Sequence, residues 1–250
     1  MVMQHFRPWL IWVVAFITAN CNLEVGNPDN AAGGINRRGG INSISMALLN
    51  YEPCAATEGA CTAVPIRLAD GASVLTFEMT EAKLQLSALT LKPFSSETVL
   101  TQVDLLSGSE IVLSQNIDAG AVTAAEVKFS GDGFSTINTY SIAGRLLLNN
   151  SWSEQSIPLS LTYSSPIVAT SGAAPAGAES LTLLFDAEAW FDFSTAPASL
   201  KQLLAVPVCK TADSGSCEQY RVTVARLIAD GIARSMQTSD RRARAQMRAK

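Results

Sequence analysis

Histidine is almost missing from this chain of 250 residues, whose single copy, His5, lies near the start. Ser-His-Asp and Cys-His catalysis need an imidazole as the general base, so both are excluded for the remaining residues. The usual catalytic zinc sites depend on histidine ligands and are excluded for the same reason. The sequence also lacks a GxSxG elbow and an SxxK pair. Together these absences predict a protein that is not an enzyme.

An apolar run near the start of the chain, Trp9–Ala19, has 11 residues and no charge. A membrane-spanning helix needs about 20 apolar residues, whereas the core of an export signal has roughly 7–15 and follows a basic start. The alternative is a short buried helix, but Asn, Gly and Pro residues follow closely after the run. Residues 1–20 are therefore predicted to be a signal peptide.

The end of this run, ITANC at 17–21, resembles the lipobox of bacterial lipoproteins. The resemblance implies that the sulfur of Cys21 takes a diacylglycerol and anchors the protein to the outer membrane, on its periplasmic or surface face. Two alternatives stay open: cleavage after Ala19 would release a soluble periplasmic or secreted protein, and an uncleaved leader would itself be an anchor. Residues 21–40 are rich in Gly and Asn, which predicts a flexible tether.

The five cysteines are an odd number, and lipid attachment at Cys21 leaves four to pair. Short segments of turn-forming residues separate Cys54 from Cys61 and Cys209 from Cys217, which favours these two disulfides. Each would close a small loop and contribute about 2.5 kcal/mol in the chain-entropy model. A metal site is the alternative, but no spacing is CxxC, and an oxidising compartment favours disulfides.

The net charge is −4, but residues 221–250 are basic, with eight Arg or Lys against two Asp. The acidic remainder argues against nucleic acid as the main partner. The apolar spacing predicts a helix from Arg226 and a basic tail after Thr238, so 226–250 is expected to form a separate terminal segment. That segment either packs on the folded domain or lies on an anionic membrane or envelope polymer.

Short alternating apolar runs separated by turn residues recur through 41–225 and predict an antiparallel β-sandwich. Within 74–92 the alternation changes phase, which predicts a bulge near Ser87-Ala88. Asp132-Gly133 predicts a type I′ hairpin. A short helix is expected over 197–206, and a disulfide-closed hairpin over Cys209–Val224.

Three segments, VDLL at 103–106, AGAVTAAEVKF at 119–129 and SLTLLFDAEAWFDF at 180–193, look like those of an uncharacterised family of bacterial β-sandwich lipoproteins. The resemblance implies an immunoglobulin-like or transthyretin-like sandwich and brings no known catalytic residue with it. The expected fold is therefore mainly β, an antiparallel β-sandwich with a short C-terminal helix.

Every second side chain from Leu181 to Phe193 is apolar, which predicts one long, half-buried strand over 179–193. Its other face carries Asp186, Glu188, Trp190 and Asp192, a candidate binding face. Its three acids are the candidate ligands for a Ca²⁺ ion. Apart from this site, we expect no cofactor or metal. A carboxylate pair beside an aromatic ring is also found in glycosidases. The plain alternative is a solvated strand face.

These observations favour a non-enzymatic lipoprotein of the cell envelope, whose sandwich has a binding or structural role. Its expected partners are the membrane, through the lipid at Cys21, and an envelope protein or polysaccharide. One alternative is a carbohydrate-directed envelope hydrolase that acts through Asp186, Glu188 and Asp192. Another is an adhesin-like accessory subunit of a surface assembly.

Overall fold

The computed structural model describes residues 40–51, 63–69, 75–94, 96–131, 137–150, 153–175, 178, 180–195, 202–203, 206 and 215–240. These residues form two β-sheets, so the predicted mainly-β, sandwich-like fold is confirmed. Eleven strands are described: β1 Gly40–Leu48, β2 Ala63–Ile66, β3 Leu75–Lys92, β4 Ser96–Asp104, β5 Ser109–Asp118, β6 Ala124–Phe129, β7 Tyr140–Asn150, β8 Ser153–Tyr163, β9 Ile167–Thr170, β10 Leu181–Phe185 and β11 Met236–Asp240. Two helices are α1 Ala187–Trp190 and α2 Gly215–Ser235.

Several expectations fall outside the described residues. These are the signal peptide, the lipid site at Cys21, the tether before Gly40 and the cysteines Cys54, Cys61 and Cys209. Cys217 lies in α2, but its side chain is not described. Both disulfides therefore stay predictions. No described helix is long and apolar enough to cross a membrane.

The first sheet has the strand order β11-β10-β1-β5. β10 lies between β11 and β1, and its pairing with β1 is parallel, with Ile44 opposite Leu181. The other two pairings are antiparallel. All five residues of β10 are buried, as expected for a central strand covered on both faces. The parallel pair is the one departure of the described sheets from the predicted antiparallel arrangement.

The second sheet is built around β3, a strand of 18 residues. β2 and β4 pair with successive parts of one edge of β3, while β7 and β6 pair with the other edge. β8 then pairs with β7, and β9 pairs with β6. Every pairing in this sheet is antiparallel, so β3 connects two groups of shorter strands into one surface.

The predicted bulge in β3 is confirmed. The register of β3 against both β4 and β6 shifts between Leu86 and Ala88. The shift restores the phase of the apolar side chains, because Leu84, Leu86, Leu89 and Leu91 are all buried. A second shift, against β7 between Met79 and Glu81, does the same nearer the start of β3, so one buried apolar face runs along the whole strand.

Asp132-Gly133, where a hairpin was predicted, lies outside the described residues. The two strands that it would join are described, and the predicted pairing is wrong, because β6 and β7 both pair with β3 and not with each other. The chain leaves the edge of β3 at Ser130, whose N–H donates to Gln85 O at 2.9 Å. It returns at Thr139, whose carbonyl accepts from Gln85 N–H at 2.9 Å. The two ends of this connection therefore lie at the same edge of β3. We call the connection, 130–139, the excursion loop; its residues 132–136 lie outside the described residues.

The core lies between the two sheets and contains two aromatic pairs. The ring centroids of Phe129 in β6 and Phe185 in β10 are 5.8 Å apart. Phe77 in β3 contacts Phe191, just after α1, at 4.8 Å. All four side chains are fully buried. The first contact joins the two sheets, and the second joins the second sheet to the segment after α1.

The C-terminal part differs from the prediction. Residues 215–224, expected in a hairpin, form the first half of α2, and the helix ends at Ser235 instead of about Thr238. Its buried side is formed by Val224, Ala225, Ile228, Ala229 and Ile232, a spacing typical of one helical face. The chain then forms β11 beside β10, although a helix was predicted up to about Thr238. The rest of the predicted basic tail, 241–250, lies outside the described residues. In the segment predicted as a helix over 197–206, the described residues Gln202, Leu203 and Val206 are helical.

Candidate functional site

The strand predicted over 179–193 is wrong beyond Phe185, because Asp186 ends it and starts α1. The backbone of Asp186 is extended, with φ −84° and ψ 105°, and its side chain accepts from the N–H of Glu188 at 3.0 Å. This is N-cap geometry, in which a side-chain oxygen satisfies a free N–H of the first helical turn. The apolar alternation alone could not reveal this change from strand to helix.

Trp190 does not lie on an exposed polar face, as the strand prediction required, but is fully buried. Its indole N–H donates to Ser235 Oγ at 2.9 Å, and Ser235 in turn donates to Ile232 O at 3.0 Å. α1 and α2 approach closely here: a Cβ on Gly231 would lie 2.5 Å from Ala189 O. Trp190 therefore joins the two helices and is not available to stack on a ligand.

Glu188 is exposed and forms an ion pair with Arg67, with Oε2 and Nη2 3.1 Å apart. The backbone holds this pair in place, since Arg67 N–H donates to Phe191 O and Phe193 N–H donates to Arg67 O. Both charged side chains are more than half exposed, at 57% and 55%. An ion pair this exposed contributes little stability, about 0–1 kcal/mol.

Asp192 is engaged with its own turn. Its Oδ1 accepts from both the hydroxyl and the N–H of Ser194, at 2.6 and 3.1 Å. These two hydrogen bonds to the charged form are the main reason why the pKa of Asp192 lies below its usual value. The Asp192 carboxylate is thus kept ionised, and its Oδ1 already accepts two hydrogen bonds from Ser194.

Asp186 and Glu188 line a cleft of about 190 Å³, here called the carboxylate cleft, whose other wall includes Asn50, Tyr51 and Pro65. The Tyr51 hydroxyl donates to Met79 O at 2.6 Å and accepts from Met79 N–H at 2.8 Å. Burial raises the pKa of Tyr51 to about 12. Tyr51 therefore acts as a neutral, fixed wall of this cleft, which the sequence patterns did not indicate.

The chemistry open to the carboxylate cleft is limited by these contacts. Asp186 caps a helix and Glu188 pairs with a cation, so each acid already has a structural partner. Within the described residues, no group of three or more His, Cys, Asp or Glu side chains is arranged to hold a metal ion. Ca²⁺ at Asp186, Glu188 and Asp192 stays a prediction that these contacts do not favour.

A second cleft, of about 250 Å³, lies between the end of β8 and the first half of α2. We call it the hydroxyl cleft, because most of its lining side chains are hydroxyl or amide groups. The sequence analysis singled out none of its residues as a site, since they are distant in the chain. The lining residues are Asn138, Thr162, Tyr163, Ser164, Ser165, Arg221, Val222 and Ala225.

Comparisons of the chain with protein-family models, with curated proteins and with solved structures found no match.

Proposed function

We propose that the protein is a non-enzymatic lipoprotein of the bacterial cell envelope whose β-sandwich has a binding or structural role. One observation supports this more than any other: each acid that sequence patterns offered for catalysis has a local structural partner. Asp186 caps α1, Glu188 pairs with Arg67, and Asp192 accepts from Ser194. Acids employed in this way stabilise a turn and an exposed bridge, which fits a folded module better than a hydrolase.

The anchor in this proposal is a lipid on Cys21. Residues 22–39 would separate it from β1, and a flexible Gly-rich chain of this length has an end-to-end distance of about 25 Å. The sandwich would then lie clear of the lipid headgroups and be free to contact other envelope components. Both clefts open on this sandwich.

Intact-mass measurement of the native, membrane-extracted protein tests the proposal. The expected species starts at Cys21, carries a lipid, and gains four hydrogens on reduction of two disulfides. The Cys21→Ser variant should lose the lipid and leave the membrane fraction, while the neighbouring Asn22→Ser variant should keep both. A soluble wild-type species that starts at Asn20 would overturn the anchor.

A hydrolase is the second candidate, and it has one observation in its favour: Asp186 and Glu188 line the same cleft. A glycosidase would need one of them as a proton donor. If the double variant Asp186→Asn/Glu188→Gln abolished a glycan-cleaving activity of the wild-type protein, the non-enzymatic proposal would be wrong. We expect the wild-type protein and the variant to leave envelope polysaccharide equally intact.

A further inference from the structure

Three separate elements meet at the hydroxyl cleft. The excursion loop contributes Asn138, the end of β8 with the turn after it contributes residues 162–165, and the first half of α2 contributes Arg221 and Val222. Loops that are held by a rigid sheet and helix are the usual place for binding residues. The backbone of Gln85 is hydrogen-bonded to Ser130 and to Thr139, at the two ends of the excursion loop. The bond to Thr139 holds the backbone next to Asn138 in place.

Polar groups that can receive a ligand surround the cleft. The side chains of Asn138, Thr162, Ser164 and Ser165 have no hydrogen-bonding partner among the described residues. Each hydroxyl can donate one hydrogen bond and accept others, and the amide can do both. Such mixed donors and acceptors match a ligand whose own groups are hydroxyls.

Arg221, the one cation among the described residues that line the cleft, is already neutralised. Nε of Arg221 donates to Glu218 Oε2 at 2.9 Å, and Nη2 donates to the other carboxylate oxygen. A phosphate or carboxylate ligand would therefore meet a guanidinium whose charge is balanced. The remaining N–H groups of Arg221 can still donate to a neutral hydroxyl. This favours an uncharged ligand over an anion.

An apolar wall completes the cleft. The Tyr163 ring stacks on Tyr140, with centroids 5.6 Å apart and an interplanar angle of 17°. Tyr140 is itself held by a 2.7 Å hydrogen bond from its hydroxyl to Ala225 O in α2. Beside them Val222 is 52% exposed. A rigid aromatic ring next to an exposed aliphatic side chain offers a surface for the C–H face of a sugar ring.

We propose that the hydroxyl cleft binds one hexose unit of a neutral polysaccharide. The proposal rests on the envelope role given above, because it names the class of partner that such a module would contact. The hydroxyl, amide and guanidinium groups of the cleft can form hydrogen bonds with the sugar hydroxyls. The side chains of Tyr163 and Val222 can pack against the C–H face of the sugar ring. The volume of about 250 Å³ is slightly below the range of roughly 300–1,000 Å³ for drug-sized ligands, which suits a single ring.

Saturation-transfer NMR and calorimetry on the full-length protein in detergent test this proposal. The probes are maltotriose, cellotriose and chitotriose at millimolar concentration, with inorganic phosphate as the anionic competitor. At least one saccharide should bind, and phosphate should not displace it. Arg221→Met should weaken binding about tenfold and Asn138→Ala about threefold, because each removes hydrogen bonds to the sugar.

Two matched variants control for general effects. Arg226→Met alters an exposed Arg of the same helix, and Ser160→Ala alters an exposed hydroxyl of β8, and neither residue lines the cleft. Both should bind like the wild type. Absence of binding to all three saccharides, displacement by phosphate, or equal losses in Arg221→Met and Arg226→Met would each overturn the proposal. The lipid on Cys21 is measured separately by mass, so loss of the anchor and loss of sugar binding are told apart.

Discussion

The contact between Trp190 and Ser235 allows a quantitative test of how α1 and α2 are joined. Trp190→Phe removes the indole N–H that donates to Ser235 Oγ at 2.9 Å and leaves a space in a fully buried region. The lost hydrogen bond costs about 1 kcal/mol. The smaller ring costs about another 1–2 kcal/mol, a fraction of the 3–5 kcal/mol for truncation of a buried Trp to Ala.

Ser235→Ala removes the acceptor and leaves the indole N–H buried without a partner, which costs about 1–3 kcal/mol. The higher helix propensity of alanine offsets about 0.5 kcal/mol of this loss. Because the two substitutions disrupt one hydrogen bond, the double variant should lose about 1 kcal/mol less than the sum of the single losses.

Urea unfolding followed by circular dichroism measures all four free energies of unfolding. Ser160→Ala, on the exposed side of β8, serves as the control and should change the free energy by less than about 0.5 kcal/mol. If Trp190→Phe is equally mild, or if the two losses add without coupling, the buried hydrogen bond between the helices does not exist as described.

Three further predictions concern other contacts. Asp186→Ala should lower the free energy of unfolding by about 1 kcal/mol and Asp186→Asn should not, because Asn also caps helices; equal losses in urea unfolding would refute the cap. The pKa of Tyr51 is raised from 10.0 to about 12, so its contribution to stability is present below pH 10 and is lost as the pH rises to about 12. Tyr51→Phe should remove this part of the decline, and an unchanged pH profile would contradict the assignment. Gly231→Ala should destabilise by about 1–2 kcal/mol although alanine favours helices, because its Cβ would lie 2.5 Å from Ala189 O. A rise in melting temperature for Gly231→Ala would show that α1 and α2 lie farther apart than the 2.5 Å approach implies.

Sequence reasoning succeeded where one physical signal was decisive. The change of phase between Leu86 and Leu89 could be satisfied on one face only by a bulge, and the bulge is there. The mainly-β class followed in the same way from repeated short alternating runs. These are local patterns, and local patterns determined both results.

The same reasoning failed where tertiary contacts decided the structure. Alternation after Phe185 is compatible with a strand, but the side chain of Asp186 caps a helix, and burial between α1 and α2 then places Trp190 inside. Asp132-Gly133 has hairpin residues, yet Gln85 binds both ends of the excursion loop. The hydroxyl cleft was unpredictable because its residues are brought together only by the packing of α2 against the second sheet.

The parallel pairing of β1 with β10 has a consequence for the order in which the protein folds. The second sheet, from Ala63 to Thr170, joins strands that are mostly near in the chain, so it can assemble early. β1 has only β5 beside it until β10, Leu181–Phe185, has been synthesised. Bringing β1 and β10 together closes the long chain segment between them, which is slow. The C-terminal third of the polypeptide therefore sets the moment at which the first described strand gains its second neighbour.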